Sequence, residues 1–293
     1  MTHQPSASQI AEFSARRPIP DFRFMPVDGV NWWLERNGRG SLPTVWDVLT
    51  WRLPFKGIGD RLLIRLLTLA ARRQVRSIDG LEHILSPQPF ILAMNHSIRR
   101  EAVVIPALLI FHRGGRLIHF WSDWMFRLVP GLSLVLRRAG TIVVATKPAR
   151  PRVLNMFRRL FVPPVGPLEQ ERALLVTGNA VGAFPEGTVN RRRDGLLAGR
   201  LGTARLSLET GTPIVPAGIR FPEVAPNRPV PEGASMDIAI GRPLMPPHCA
   251  AARPTLAEVR AWHAVMMSEI ARLSGKSWRA AGADAGDAAS FEV

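Results

Sequence analysis

The chain lacks the features that mark several large classes of protein. It has one cysteine, Cys249, in 293 residues, so no disulfide can form within the chain and a reducing compartment is expected. Cys249 has no metal-ligand partners at a recognised spacing, and we assign it no role. No apolar run reaches the roughly 18 residues of a spanning helix, and residues 1–17 lack the apolar core of a secretory signal.

Motifs that bind nucleotides or build serine hydrolases are also missing. The chain contains no G-x-x-x-x-G-K-[S/T] loop and no G-x-G-x-x-G turn, so we predict no nucleoside triphosphate and no dinucleotide cofactor. The absence of a G-x-S-x-G turn disfavours a serine hydrolase of that design. Because no His, Cys and Asp cluster has metal-ligand spacing, we expect an activity that needs neither a cofactor nor a metal.

Acidic residues are few relative to basic ones. The sequence has 23 Asp and Glu against 38 Lys and Arg, a net charge of +15. Such a surface fits polyanionic partners, either nucleic acid or anionic lipid headgroups. We find no zinc-finger spacing, no aromatic RNA-binding strand and no helix-turn-helix pattern, so no nucleic-acid module is identified. Charge alone leaves both kinds of partner open.

Composition and apolar periodicity divide the chain into four segments. Residues 1–40 are rich in Pro, Gly, Arg and Ser and are predicted to be irregular; their Trp32-Trp33 pair either packs on a domain or anchors at a lipid interface. Residues 41–73 are predicted to form two amphipathic helices, which either contact a membrane or pack on the domain. Residues 74–279 are predicted to form an α/β domain, and residues 280–293 a flexible tail.

The α/β prediction rests on short apolar runs that alternate with helical patterns. This alternation predicts a mostly parallel sheet flanked by helices. The predicted strands are Val75–Ile84 (with a turn), Phe90–Met94, Leu117–Trp121, Thr141–Ala145, Ala180–Phe184, Ile214–Ile219 and Met236–Ile240. The predicted helices are Ala102–Phe111, Asp123–Leu128, Leu132–Ala139, Pro151–Leu160, Leu168–Val176, Gly202–Thr210 and Thr255–Leu273.

One stretch, which runs from the apolar strand Phe90–Met94 to Glu101, carries the first candidate site. Asn95 and His96 follow the strand directly, and Glu101 opens the next apolar run. Residues five apart on one helix differ by about 500° and do not share a face, so His96 must lie in the turn and Glu101 in the first helical turn. A carboxylate bonded to one imidazole nitrogen leaves the other nitrogen free to accept a proton. Taken alone, the pair is also compatible with an idle surface turn.

A second stretch, Ala183 to Thr188, follows another predicted strand. Its turn, with Pro185 and Gly187, presents the carboxylate of Glu186 beside backbone amides and three consecutive arginines, residues 191–193. In open α/β sheets, sites gather outside the carboxyl ends of strands. Both stretches are therefore expected at the same edge of the sheet.

Together the two stretches resemble the glycerolipid acyltransferases of the lysophosphatidate acyltransferase (PlsC) type. Asn95, His96 and Glu101 match that family's N-H-x4-D/E motif, with Glu in place of the commoner Asp, and residues 184–188 match its F-P-E-G-T motif. Residues 137–144 and 212–217 resemble the second and fourth motifs. All four occur in the family's order, over about residues 75–218.

The resemblance implies an O-acyltransferase of phospholipid biosynthesis. A fatty acyl group would pass from acyl-CoA or acyl carrier protein to a hydroxyl of a lysophospholipid, with 1-acylglycerol-3-phosphate as the first expectation. His96 would act as general base, oriented by Glu101, and amides near Gly187 and Thr188 would stabilise the oxyanion. Substrate contacts are expected from Asn95, Glu186, Gly187, Thr188, Arg191 and Arg200.

The resemblance also bears on partners and location. Relatives use an N-terminal helix pair for membrane contact, so residues 41–73 are expected to lie on an anionic membrane surface. We therefore expect a cytoplasmic protein that is peripherally associated with the membrane, with lysolipid and acyl donor as partners and no nucleic acid.

Three positions depart from the family pattern and keep other acceptors open. Val189 and Thr146 stand where relatives carry Arg, with Lys147 beside Thr146, and Arg200 stands where relatives carry Lys. Those basic residues hold the acceptor phosphate in relatives. Replacement charge could come from Arg99, Arg100, Arg191, Arg192 and Arg193. Two alternatives remain: a different lysolipid acceptor, or a non-catalytic basic membrane-binding protein on the same fold.

Overall fold

A computed structural model of the chain describes residues 42–145, 148–149, 151–225, 227–247 and 253–279. The predictions for residues 1–40 and 280–293, and for Trp32-Trp33, Thr146, Lys147 and Cys249, lie outside these ranges. The limits predicted for the domains stay predictions.

A seven-stranded sheet forms the centre of the described structure. Its order is β1-β7-β6-β2-β5-β3-β4, and only the β6–β7 pair is antiparallel. The predicted fold class, a mostly parallel α/β sheet, is confirmed. The strands are β1 Val75–Asp79, β2 Ile91–Met94, β3 Ile118–Asp123, β4 Ile142–Val144, β5 Ala180–Ala183, β6 Ile214–Arg220 and β7 Met236–Ile240.

Helices cover both faces of this sheet. Side chains of β2 alternate between two apolar clusters: Leu92 and Met94 join the cluster that contains the helix α3, while Ile91 and Ala93 join the cluster of α7 and α8. The α-helices are α1 Val45–Thr50, α2 Ile58–Ala71, α3 Glu101–His112, α4 Pro130–Arg138, α5 Arg158–Phe161, α6 Pro167–Val176, α7 Gly202–Thr210 and α8 Leu256–Ser274; 3₁₀ helices span Leu81–Ile84, Trp124–Leu128 and Arg152–Phe157.

The helix pair predicted in residues 41–73 is present as α1 and α2. Thr44 and Asp47 form a reciprocal capping box that starts α1. Arg65 of α2 donates to the Val48 and Trp51 carbonyls, which fixes the two helices together. The buried side of α2, which includes Ile64, packs on the end of α3. The pair therefore packs on the domain through one side.

One predicted helix, Pro151–Leu160, is wrong as a single α-helix. The segment begins as a 3₁₀ helix and becomes α-helical only at Arg158. The Asn155 side chain accounts for this, because its oxygen accepts from the Ala149 amide and its nitrogen donates to the Arg152 carbonyl. Local side-chain bonds of this kind compete with regular helix.

The topology brings the two candidate stretches together. β2 and β5 are parallel neighbours, and Ala93 pairs with Ala183 near their carboxyl ends. The chain leaves both strands at the same edge of the sheet, so the residues that follow each strand meet in space.

Candidate active site

His96 and Glu101 form a contact pair at the carboxyl end of β2. The imidazole Nδ1 lies 3.0 Å from Glu101 Oε2. The same oxygen accepts a hydrogen bond from the Ser97 amide at 2.8 Å. His96 is in the turn and Glu101 is the first residue of α3, as the spacing predicts. Since Nδ1 faces the carboxylate, Nε2 is the ring nitrogen left for a proton from elsewhere.

The Glu101 carboxyl group is fully buried. Burial raises its pKa, while the His96 ring and the Ser97 and Ile98 amides act in the opposite direction. Its second oxygen, Oε1, has no hydrogen-bond partner among the described residues. The carboxylate is also at the amino end of a helix, where negative charge is favoured. Both partners of Glu101, the imidazole and the Ser97 amide, thus contact one oxygen, and its negative charge is stabilised most when the imidazole is protonated.

The third motif holds His96 from the other side. The ring of Phe184 stacks on the imidazole with centroids 4.2 Å apart. The His96 amide donates to Glu186 Oε1 at 3.1 Å, and its carbonyl accepts from the Asn190 amide at 2.7 Å. The ring and the main chain of His96 are therefore both positioned by the loop that follows β5.

Glu186 is saturated by donors from the protein itself. Besides the His96 amide, it accepts from Asn190 Nδ2 at 2.6 Å and from the Leu197 amide at 2.9 Å. The residue is only 5% exposed. Its carboxylate joins the loops after β2 and β5 through bonds to both of its oxygens.

Comparison with known proteins agrees with this geometry. The model of the acyltransferase family matches residues 75–220, which contain both motifs and the strands that carry them. The chain belongs to the acyltransferase family. Among solved structures, it is similar to the 1-acyl-sn-glycerophosphate acyltransferase PlsC from Thermotoga maritima, with a TM-score of 0.50 and 14% identity, over 86% of this chain and 97% of that chain. No curated protein matches the sequence significantly.

In this acyltransferase the F-P-E-G-T turn is closed by its own backbone. Gly187 adopts a positive φ of 69°, and its amide donates to the Phe184 carbonyl at 2.9 Å. That amide is therefore engaged and cannot serve the developing oxyanion as expected, whereas Thr188 is exposed beside it. A side chain at position 187 would collide with Arg200, which lies against the turn.

Asn95 has a structural position rather than a place open to substrate. It is completely buried, its amide nitrogen donates to the Ile219 carbonyl at 3.1 Å, and its oxygen accepts from the Ile219 amide at 2.7 Å. The residue therefore joins the ends of β2 and β6. These two hydrogen bonds to the main chain of Ile219 explain the need for a carboxamide directly before His96.

Arginines surround the two turns but differ in how they are engaged. Arg191 pairs with Glu232 at 2.5 Å, and Glu232 also accepts from the Arg99 amide. Arg193 donates to the Phe221 carbonyl at 3.1 Å. The exposed side chains of Arg99, Arg100, Arg192 and Arg200 have no ion pair within the described part of the chain. These four are the cations best placed to take a new anion.

An apolar cleft with a volume of about 60 Å³ lies against α3 just beyond Glu101. Ala102 and Val103, which follow Glu101, line it together with residues of α2, β3 and α4. Phe120 also lines it, and the Phe120 ring lies 5.7 Å from Phe184, the residue stacked on His96. Two aromatic rings in contact, Phe120 and Phe184, therefore lie between the cleft and the His96 ring.

Two residues at the site were missed by sequence reasoning. Asn190 bonds both His96 and Glu186, and its proximity to the motif was the only available signal. Lys276 reaches the site from beyond α8, with its ammonium bonded to Ser97. No group of three or more His, Cys, Asp or Glu able to hold a metal is present among the described residues.

Proposed function

We propose that this acyltransferase moves a fatty acyl group from a thioester donor, acyl-CoA or acyl carrier protein, to a hydroxyl of a lysophospholipid. His96 Nε2 takes the proton of the hydroxyl, and the oxygen attacks the thioester carbonyl directly. The tetrahedral intermediate then expels the thiolate, which takes the proton from the imidazolium. The observation that carries this mechanism is the 3.0 Å contact of His96 Nδ1 with buried Glu101, which stabilises the imidazolium as it forms.

The apolar cleft supports an acyl chain as one of the groups bound. Its walls are formed mostly by aliphatic side chains, including Leu63, Leu67 and Val135. Burial of methylene groups against such walls contributes about 0.8 kcal/mol each. Ala102 and Val103, which directly follow Glu101, belong to these walls, and this proximity to the His96 turn supports the assignment.

The acceptor headgroup is assigned to the arginines around the two turns. A guanidinium suits a phosphate, and Arg100 and Arg200 flank the His96 turn and the Gly187 turn respectively. We therefore propose 1-acylglycerol-3-phosphate as the first acceptor, the substrate named for the Thermotoga protein. A lysolipid with another headgroup is the second candidate, because Val189 replaces a basic residue directly after the third motif.

Membrane contact is supported by apolar side chains that no described element covers. Ile58, Leu62 and Leu66 recur every four residues along α2 and are each more than half exposed, and Trp46 of α1 is 71% exposed. Residues 124–168 include eight Lys and Arg and no Asp or Glu. A basic surface with exposed apolar side chains fits an anionic lipid interface. No helix in the described ranges is long and apolar enough to cross a bilayer.

The first experiment measures thioester consumption with oleoyl-CoA and a panel of lysolipids, with and without a phosphomonoester. The unmutated protein is compared with His96→Ala and with His83→Ala, a matched histidine outside the site. We expect turnover with lysophosphatidate that His83→Ala retains and His96→Ala loses by at least 100-fold. Turnover that survives His96→Ala would overturn the general-base assignment.

The remaining outcomes separate the alternatives. Turnover with only a different acceptor would keep the chemistry and reassign the headgroup. No turnover with any acceptor, with either acyl-CoA or acyl carrier protein as donor, would favour the non-catalytic alternative, in which liposome binding survives His96→Ala.

The membrane surface is tested by vesicle sedimentation. Ile58→Glu combined with Leu62→Glu should weaken sedimentation with phosphatidylglycerol vesicles, while Val265→Glu, at an exposed position on α8, should not.

A further inference from the structure

Lys276 lies just beyond α8 in a segment that is anchored on both sides. The helix ends at Ser274, and Gly275 follows in the left-handed region at φ 66°. The Lys276 amide closes the helix by donating to the Ala271 carbonyl at 3.1 Å. On the other side, Ser277 pairs with the loop after the third motif, through bonds to Asp194 and Leu196. The main chain of Lys276 is thus fixed before its side chain makes any contact.

The ammonium group of Lys276 is directed into the protein. The residue is 5% exposed, although lysine is among the residues least often buried. Its Nζ donates to Ser97 Oγ at 2.8 Å and to the Arg192 carbonyl at 2.7 Å. One bond therefore reaches the turn after β2, and the other reaches the loop after β5.

A short series of contacts connects this ammonium to the imidazole ring of His96. Ser97 receives the Lys276 bond on its hydroxyl and donates its amide to Glu101 Oε2 at 2.8 Å. That same oxygen faces His96 Nδ1 at 3.0 Å. Displacement of Ser97 would therefore move the carboxylate that orients the imidazole.

Charge gives a second connection. Glu101 and Glu186 both act on Lys276 as attractive charges, with Asp194 a weaker attraction and Arg193 an opposing cation. Burial lowers the pKa of Lys276, and the three carboxylates act against that fall. Lys276 therefore offsets part of the negative charge of the two buried glutamates beside His96.

We propose that Lys276 is a positioning residue for the acyl-transfer reaction, which fixes Ser97 and, through it, the Glu101 carboxylate against His96. The proposal rests on His96 as the general base. The residue lies outside residues 75–220, the part matched by the family, so this acyltransferase completes its site from its C-terminal segment. Lys276 need not touch the substrate in this role.

The direction of the pH effect follows from the charges. Removal of a cation near Glu101 and His96 favours the protonated form of the pair, so a higher pH is needed to free the base. The acidic limb of kcat/KM against pH should therefore move upward when Lys276 is neutralised.

The test compares kcat/KM from pH 5 to 9 for the full-length protein, Lys276→Met, Lys276→Arg and Arg272→Met. Arg272 is an exposed cation in the last turn of α8, paired with Glu269, and controls for loss of one charge. We expect Lys276→Met to lose at least tenfold at pH 7 and to shift the acidic limb upward. Lys276→Arg should keep the limb in place, and Arg272→Met should match the unmutated protein.

A third variant keeps the proposal testable if Lys276→Met does not fold. Lys276→Ala leaves space for an ammonium, and added propylammonium should restore part of its activity. Activity of Lys276→Met within twofold of the unmutated protein, or a loss that is equal at every pH, would overturn the proposal. A failure of His96 as base would be recognised separately, because His96→Ala would then remain active.

Discussion

Glu101 and Glu186 are two buried carboxylates at the carboxyl ends of neighbouring parallel strands, yet their surroundings differ. Glu186 accepts from three protein donors, the His96 amide, the Asn190 carboxamide and the Leu197 amide. Glu101 has the imidazole and the Ser97 amide on one oxygen and a second oxygen without a partner among the described residues. Both residues are buried carboxylates, but Glu186 accepts hydrogen bonds on both of its oxygens and Glu101 on only one among the described residues.

This difference separates a carboxylate that reacts to proton transfer from one that holds the structure. A buried carboxylate that accepts three hydrogen bonds from the protein is costly to alter, because its donors lose their acceptor. An under-satisfied carboxylate beside a histidine gains most when the ring becomes charged. Under the proposed mechanism, Glu101 responds to proton transfer and Glu186 fixes the loop geometry, and three substitutions test that proposal.

The largest effect is expected from Glu101→Gln. The amide cannot stabilise an imidazolium, so kcat should fall about 1000-fold while KM and the melting temperature change little. Steady-state kinetics and thermal unfolding measure both quantities. A loss of stability larger than the loss of activity would break the comparison, because it would make Glu101 the structural member of the pair.

Glu186→Gln should lower activity less than Glu101→Gln does, and should lower stability more. A carboxamide can place its oxygen on only one side, so its NH₂ group faces either the His96 amide or the donors of Asn190 and Leu197. The loop after β5 should therefore loosen at a cost of about 2 kcal/mol. Activity should fall about tenfold, since this loop then holds His96 less firmly while the contact of the ring with Glu101 remains. Denaturant unfolding and kcat/KM on the same preparation test this, and a stable protein without activity would indicate a direct role in chemistry.

Glu171 is a third buried carboxylate, and it shows what burial alone does to a carboxyl group outside the site. Burial raises the pKa of Glu171 to about 8, and a bond from the Trp121 side chain only partly opposes this. Because the folded-state pKa lies above the unfolded value, the folded protein binds more protons between about pH 4.5 and 8, and stability falls across that window as pH rises.

Glu171→Gln should remove that slope and leave turnover unchanged. At pH 7 the substitution should stabilise the protein by about 3 kcal/mol, with no gain near pH 4. Unfolding measured at pH 4, 6 and 8 would test the sign. A gain of equal size at all three pH values would show that ionisation of Glu171 is not its origin.

The strand–turn–helix arrangement around His96 could be predicted from sequence because it depends on local spacing. The apolar run before Asn95 predicts β2, and a separation of five residues places Glu101 at the start of α3. The second turn was located equally well, because Pro185 and Gly187 follow an apolar strand. These features lie within a few residues of each other, where backbone geometry leaves few choices.

Other features of the site depend on contacts between distant parts of the chain and could not be predicted in this way. Ser97 and Lys276 are 179 residues apart, and no local pattern indicates that a lysine after a long helix is buried. The engagement of the Gly187 amide and the saturation of Glu186 depend on how one turn closes and on which loop lies opposite. Sequence spacing identifies residue types near a site, whereas packing decides which of their atoms remain free.

The bonds on either side of His96 also affect how the enzyme fluctuates. Its amide and its carbonyl are bonded to Glu186 and Asn190, which belong to one short loop. A local opening of that loop would release both bonds at once, together with the ring stacked on Phe184. We therefore expect His96 and this loop to open together as one unit, at a free energy below that of global unfolding. A substrate that stabilises the loop would lower the hydrogen-exchange rates of the His96 and Asn190 amides together, although His96 follows β2 and Asn190 follows β5.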